Sequence, residues 1–256
     1  MKLKILSLTT LICISPLASA AIIGFDDFSY TNGSINGRTG GTNWNAVGGT
    51  SDWGTSGSAI VGGQLETSNN VGAFREYGGN ENASGISTGQ VFFRVTATTN
   101  SGTIPNYFGI SSFTNGSERA YFGRLYAGNF GVERSGAGSA NSATAVSPAA
   151  NTVYTFVGVQ DFTNQKLTFF LNPTGSDFYL PSGVTSSTTS VPYTSGFGST
   201  QIRLQAGDQG PIPPSVLWDN ITVGTSPSDV GLSAVPEPSA LMLGLLGLIG
   251  VCRRKR

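Results

Sequence analysis

The sequence predicts an all-β protein organised around a single β-sandwich domain of the jelly-roll type. Three observations favour this class. Short segments rich in β-branched and aromatic residues recur between glycine and asparagine turn signals. No segment between the two ends has a convincing amphipathic helical period. The chain contains 36 glycines, and charged residues make up only 11% of it, which suits many tight turns and an uncharged polar surface.

The first residues have the features of a secretory signal peptide. Lys2 and Lys4 precede an apolar run over residues 5–14, and the small residues 18–20 follow. This order predicts a signal peptide over residues 1–20, with cleavage after the last of them. The alternative is an uncleaved anchor, but the apolar run is much shorter than the roughly 20 residues that a spanning helix needs.

Residues 21–225 are predicted to form the sandwich domain. About ten or eleven short strands at regular spacing are typical of a sandwich or jelly roll. The clearest predicted strands cover residues 90–98, 106–113, 119–127, 129–134, 153–161, 166–172, 201–206 and 216–223.

Alternation within two of these segments indicates their places in a sheet. Residues 153–159 are apolar on both faces, which predicts a central strand. Residues 166–172 follow the half-buried pattern, with Leu167, Phe169 and Leu171 on one face. Phe170 is left over on the polar face of that strand.

Three stretches are predicted to lack regular structure. The glycine-rich residues 39–63 and 135–147 are expected to be long surface loops, and the first of them contains Trp44 and Trp53. Residues 226–234 are expected to be a linker between the domain and the end of the chain.

The composition excludes several classes of chemistry. Histidine is absent, which removes the usual general base and every histidine metal ligand. The two cysteines, Cys13 and Cys252, lie in terminal apolar segments, so the domain has no disulfide, thiolate zinc site or cysteine nucleophile. Fourteen basic residues balance fourteen acidic ones, so no strong overall field attracts nucleic acid.

Residues 235–256 form a distinct tail with three parts. Two prolines flank a glutamate at residues 236–238 and resist both helix and sheet. An apolar stretch over residues 240–251 predicts a short transmembrane helix of roughly 20 Å, which is short for a hydrocarbon core of about 30 Å. A basic end is expected to stay on the cytoplasmic side. It consists of Arg253, Arg254, Lys255 and Arg256.

This order of motif, helix and basic end closely resembles the PEP-CTERM sorting tail. The motif residues are Pro236, Glu237 and Pro238. The resemblance implies a Gram-negative bacterium with an exosortase that recognises and removes the tail. It also implies a body exported past the inner membrane to the cell surface or beyond, in association with exopolysaccharide and biofilm. A plain C-terminal membrane anchor is the alternative.

Part of the body resembles the LamG-like, concanavalin A-like sandwiches of bacterial surface proteins. Residues 154–174 resemble their central hairpin, in which a strand and a polar turn lead into a strand that ends in Asn-Pro. Residues 24–28 and 217–223 resemble the first and last strands of that group, which pair side by side. The resemblance therefore implies that the two ends of the domain meet.

Two candidate sites follow, one for calcium and one for carbohydrate. If the terminal strands pair, Asp26, Asp27 and Asp219 form a candidate structural calcium site, since calcium favours clustered oxygen ligands. They are otherwise turn-forming or solvated carboxylates. Trp44 and Trp53 are the main candidates for stacking on sugars, because they lie in polar loops. The wider set of rings and hydrogen-bonding partners is Tyr107, Tyr121, Tyr126, Arg119 and Arg124, and these residues otherwise belong to the core.

Glycosidase chemistry needs two carboxylates about 5–9 Å apart. None of the body's glutamates lies in a tight Glu-x-Asp-x-x-Glu arrangement, although carboxylates from distant strands can still pair. The sequence therefore predicts a non-catalytic surface or matrix protein with no certain cofactor. The alternatives are a lectin-like carbohydrate-binding module and a glycoside hydrolase. The body glutamates are Glu66, Glu76, Glu81, Glu118 and Glu133.

Overall fold

The computed structural model describes residues 21–44, 52–55, 57–77, 85–99, 102–135, 140–174, 188–193, 198–207 and 214–232. Within these residues the chain forms strands and one short 3-10 helix, Pro227–Val230. The strands are β1 (Ile22–Asp26), β2 (Gly33–Ser34), β3 (Gly54–Thr55), β4 (Ala59–Val61), β5 (Gln64–Ser68), β6 (Gly72–Glu76), β7 (Gln90–Thr99), β8 (Tyr107–Thr114), β9 (Ser117–Arg124), β10 (Phe130–Arg134), β11 (Ala140–Ala143), β12 (Val153–Asp161), β13 (Lys166–Leu171), β14 (Thr188–Pro192), β15 (Gln201–Gly207) and β16 (Ser215–Gly224).

The described strands form two antiparallel sheets. The first sheet has the order β14-β13-β12-β7-β16-β5-β4-β2, with β1 also paired to β16. The second sheet has the order β11-β10-β9-β8-β15-β6-β3. The first and last strands lie side by side, with Asp26 opposite Ile221. The all-β sandwich and the pairing of its terminal strands are therefore confirmed.

The core lies between the sheets and is rich in aromatic rings. Phe156 of the first sheet packs against Phe108 and Phe130 of the second, with ring centroids 5.8 and 5.4 Å apart. Trp218 is fully buried, and its indole donates to the Thr67 hydroxyl at 2.7 Å. Such pairs add to the burial of apolar area, which stabilises a domain that has no disulfide.

The central position predicted for residues 153–159 is confirmed, because β12 lies between β7 and β13. Its outward residues Val157 and Val159 are as buried as its core residues. Phe170, the aromatic on the polar face of β13, is 5% exposed. Something must therefore cover the outer face of the first sheet at these positions.

The cover is the segment of residues 226–232, which we call the hook. The linker predicted over residues 226–234 is thus wrong for most of its length. Val230 and Leu232 are buried in an apolar cluster with Phe92, Val157, Val159 and Phe170. The Arg94 guanidinium donates to the carbonyl oxygen of Val230 at 3.1 Å. The folded domain therefore continues to Leu232, seven residues beyond the predicted boundary at 225.

Both predicted glycine-rich loops contain strands. Residues 39–63 include β3 and β4, and residues 135–147 include the edge strand β11. The signal peptide predicted over residues 1–20 and the helix predicted over residues 240–251 lie outside the described residues, and so do the sorting motif and the basic end.

Candidate functional site

Trp44 and Trp53, the predicted sugar-stacking residues, lie inside the protein. Their exposed fractions are 6% and 0%. The Trp53 ring packs 5.4 Å from Phe28 and 5.9 Å from Trp44. The prediction that these rings form an exposed carbohydrate site is therefore wrong. Tryptophans in a glycine-rich stretch were expected to be exposed, but Gly24 of β1 makes room for one of them: a Cβ there would lie 2.8 Å from the Trp44 ring.

The two indoles surround a buried ion pair between Arg75 and Asp26. The Arg75 guanidinium lies 4.5 Å from the Trp44 ring centroid and 5.4 Å from that of Trp53. Its Nη1 donates to Asp26 Oδ2, and its Nη2 donates to the carbonyl oxygen of Gly40 at 2.7 Å. Burial lowers the pKa of Arg75, and the Asp26 charge opposes that change. This cluster ties the start of the chain to the second sheet, so its role is structural.

The predicted calcium site is not assembled. Asp26 is fully buried and its carboxylate accepts hydrogen bonds from the Phe28 amide, the Tyr30 hydroxyl and the Trp53 indole, in addition to Arg75. Asp27 and Asp219 are close enough for Asp27 to raise the pKa of Asp219, after the larger effect of burial. Among the described residues, no three carboxylate, histidine or cysteine side chains are grouped as metal ligands. The prediction that Asp26 is a calcium ligand is therefore wrong, because its side chain points into the core.

A different polar and aromatic cluster lies on the outer face of the second sheet. One cross-strand row runs Phe74, Arg203, Ser111, Tyr121 and Glu133, on five neighbouring strands. At the usual strand spacing the row is about 19 Å long. Five partly exposed side chains of this face form what we call the platform: Phe74, Tyr107, Glu118, Glu133 and Arg203.

Buried side chains support the platform from below. Tyr121 is 6% exposed and lies over Gly109, where a Cβ would be 2.8 Å from the ring. Its hydroxyl donates to the Arg124 carbonyl oxygen at 2.9 Å. The Gln205 amide and the Arg203 guanidinium both reach the Ser111 hydroxyl at 3.4 Å. Because Gly109 on β8 has no side chain, the Tyr121 ring can lie against the sheet there and does not project from the surface.

Arg203 and Glu118 form the central ion pair of the platform. Arg203 Nη2 donates to Glu118 Oε2, with 22% and 25% of the two side chains exposed. The guanidinium lies 4.8 Å from the ring centroid of Phe113 and 5.6 Å from that of Phe74. The Ser135 hydroxyl donates to Glu118 Oε1 at 2.8 Å. Both glutamate oxygens therefore have a donor within the protein.

The remaining platform groups have shifted protonation equilibria. Burial raises the pKa of the Glu133 carboxyl, and the nearby Glu118 charge raises it further. Burial likewise raises the pKa of the Tyr107 phenol, whose hydroxyl donates to Asn70 Oδ1 at 2.7 Å. Glu118 and Tyr107 also act on the pKa of Tyr121. These groups therefore form one electrostatically coupled cluster.

The wider set of sequence candidates divides between the platform and the rest of the surface. Tyr107 belongs to the platform, and Tyr121 is one of the buried side chains that support it. Arg124 binds the carbonyl oxygens of Gly128, Ile104 and Pro105, so it holds loops in place. Tyr126 is 61% exposed in the turn between β9 and β10. Sequence reasoning did not select Arg203, Glu118 or Glu133 as binding residues. Alternation with apolar neighbours places Arg203 and Glu133 on an outer face, but only the strand order brings them into one row.

Residues 234–256 match the PEP-CTERM protein-sorting motif. The tail is a PEP-CTERM sorting motif. This confirms the tail assigned from Pro236–Glu237–Pro238 and the residues after it, and it implies an exported protein that is transiently anchored at the membrane. Within the described residues, no helix is both long and apolar enough to cross a bilayer. No curated protein matches the sequence.

Several solved structures are similar to this chain at low sequence identity. An uncharacterized protein from Mycobacterium paratuberculosis has a TM-score of 0.50 at 9% identity, over 78% of this chain and 98% of its own. The CBM2 module of the Lactobacillus casei BL23 phage J-1 evolved Dit has a TM-score of 0.49 at 14% identity, over 80% and 96% of the two chains. This chain covers only 17% of a similar sialidase. The first of these similarities shows a shared fold and nothing about function.

Proposed function

We propose that the protein is a non-catalytic surface or matrix component, sorted by an exosortase, whose platform contacts extracellular polysaccharide. The platform is the observation that carries this proposal. It combines the partly exposed rings of Phe74 and Tyr107 with Arg203 and two carboxylates, on and beside a cross-strand row about 19 Å long. Rings offer apolar area to the faces of sugar rings, and charged groups form the stronger hydrogen bonds to hydroxyls.

The state of Glu118 supports a binding role over a catalytic one. Its two carboxylate oxygens accept from Arg203 and Ser135, so neither faces a substrate without a competing donor. Arg203 is held in turn between Phe113 and Phe74. A site whose groups are already oriented by their neighbours loses little conformational entropy on binding.

Binding of the exported chain to a glycan array and to exopolysaccharide from the producing cells tests the proposal. We expect Tyr107→Ala and Glu118→Gln to reduce retention at least tenfold while the protein stays folded. The matched control is Glu66→Gln, a carboxylate on the outer face of the first sheet, which should bind as wild type does. Equal retention of the platform variants and the control would contradict the proposal.

Glycoside hydrolysis is a second candidate, and one observation favours it. Burial and the nearby Glu118 charge raise the pKa of Glu133, and a carboxyl group with a raised pKa near a second carboxylate is the kind of acid that glycosidases use. A reducing-end assay on the polysaccharides that the protein binds separates the two candidates. Release of reducing ends that Glu133→Gln abolishes would establish hydrolysis, whereas binding without release supports the non-catalytic role.

A further inference from the structure

We propose that the outer face of the first sheet lies against the bilayer while the sorting tail is in the membrane, so that the platform faces away from it. This proposal rests on the sorting tail and the fold and not on polysaccharide binding, so either can fail alone. We assign the membrane surface as the partner of this face, because both membrane-directed ends of the chain start from that sheet.

The first step in the argument is the position of the hook. It starts after β16 and crosses the outer face of the first sheet over β7, β12 and β13, where Val230 and Leu232 are buried. Gly231 adopts φ 73°, and the Leu232 amide donates to the Pro227 carbonyl oxygen at 2.9 Å. The last described residue is therefore fixed on that face.

The second step is the length of chain that remains. Only residues 233–235 separate Leu232 from the sorting motif, so Pro236 lies within about 14 Å of Leu232 even in a fully extended chain. The apolar stretch begins at Ala240, within about 28 Å of Leu232. An anchor on so short a connection holds the face from which it emerges close to the membrane.

The third step is the other end of the domain. The Thr225 amide donates to the Ala21 carbonyl oxygen at 3.2 Å, so the residue after the predicted signal peptide lies beside the start of the hook. Before signal cleavage, a second connection to the membrane would begin at the same sheet. Until cleavage, two connections would hold that sheet towards the membrane; afterwards the short connection from Leu232 to the tail does so alone.

The two outer faces of the sandwich would therefore have different surroundings. The platform lies on the far side of the sandwich, beyond the first sheet and the core, since packed sheets are about 10 Å apart. In this orientation it points away from the bilayer, towards the space where an extracellular polymer is found. The polar residues of the first sheet's outer face need only tolerate the headgroup region, not insert into it.

Cysteine labelling tests this orientation, because the described domain has no cysteine of its own. The full chain is expressed with Cys13→Ser and Cys252→Ser in a host without an exosortase, so that the tail stays in the membrane. Thr155→Cys reports on the outer face of the first sheet, and Gln201→Cys reports on the outer face of the second. Both positions are half-buried strand residues, which makes them a matched pair.

The measurement is the rate of mass shift with a 5-kDa polyethylene-glycol maleimide, in spheroplast membranes and after solubilisation in detergent. We expect Thr155→Cys to react several-fold more slowly in membranes than in detergent, and Gln201→Cys to react equally in both. Inserting fourteen Gly-Ser residues after Leu232 should remove the protection of Thr155→Cys. Three results would overturn the proposal: equal slowing of the two positions in membranes relative to detergent, greater slowing of Gln201→Cys, or slowing of Thr155→Cys that survives the insertion.

Discussion

The protein contains two arginine–carboxylate pairs that are built alike and differ in where they lie. Arg75 pairs with Asp26 between two indole rings, and Arg203 pairs with Glu118 beside two phenyl rings. The first pair has side-chain exposures of 0% and 1%, and the second has 22% and 25%. The same chemistry therefore holds the interior together in one place and, in our proposal, forms a binding surface in the other. Burial decides between the two roles.

The largest expected effect comes from breaking the buried pair. Asp26→Asn leaves the Arg75 guanidinium without its counter-charge, and breaking a buried pair costs about 3–5 kcal/mol. For a domain of this size the melting temperature should fall by about 10 °C or more. Differential scanning calorimetry measures it, with the exposed neighbour Asp27→Asn as the control. A small shift for Asp26→Asn, similar to that control, would contradict the structural role.

Removing an indole from the same cluster should have nearly as large an effect. Trp53→Ala opens a cavity beside Phe28, Trp44 and Arg75, and losing a buried aromatic ring typically costs about 3–5 kcal/mol. The exposed ring of Tyr126 gives the contrast, since Tyr126→Ala should change stability by less than about 0.5 kcal/mol. Chemical denaturation of both variants measures the difference. Equal stability of the two would show that Trp53 is not part of the core.

The platform pair should contribute little to stability. Glu118→Gln removes a partly exposed ion pair, and such pairs contribute about 1 kcal/mol or less. We therefore expect a small change in melting temperature together with a large loss of polysaccharide binding. For Asp26→Asn we expect the opposite: a large fall in melting temperature and, in the folded protein, little loss of polysaccharide binding. A destabilisation as large as that of Asp26→Asn would remove the distinction between the two pairs.

The smallest expected effect concerns Glu133 and depends on pH. Its folded-state pKa is raised above the ordinary value of 4.5, so its stabilising contribution is present below that pH and is lost as pH rises through the folded-state pKa. Glu133→Gln should therefore melt slightly higher than wild type at pH 7 and at the same temperature as wild type at pH 3. Glu66→Gln gives the background effect of losing a surface carboxylate. A lower melting temperature for Glu133→Gln at pH 7 would reverse the assigned sign.

The sequence was sufficient for the longer strands, because each one carries its own alternation, but not for the short strands β3, β4 and β11 in the glycine-rich stretches. Residues 153–159 and 166–172 were predicted correctly as strands, but the half-buried pattern expected for 166–172 is wrong, because Thr168 and Phe170 on its second face are buried too. The hook itself escaped prediction because two buried residues in seven, Val230 and Leu232, give no periodic signal. The tail was recognised because its three parts occur in a fixed order that needs no tertiary contact.

The proposed binding face was harder to predict, for a physical reason. Trp44 and Trp53 lie among glycines, a composition that is typical of both exposed loops and places where backbone and ring approach closely. Only the structure shows that Gly24 accommodates the Trp44 ring. The row containing Arg203 and Glu133 depends on strand order, which brings β15 and β10 to one face from distant positions in the chain. The alternation of residues within a single strand does not show which strands are neighbours.

The most direct test of the account is polysaccharide binding by matched variants of the two clusters. Binding constants are measured by titration calorimetry with the best ligand from the glycan array, for Tyr107→Ala on the platform and Trp44→Phe in the interior. The account predicts that Tyr107→Ala loses at least tenfold in affinity and that folded Trp44→Phe binds as wild type does. Loss of affinity in Trp44→Phe with full affinity in Tyr107→Ala would place the site at the tryptophans and contradict the account.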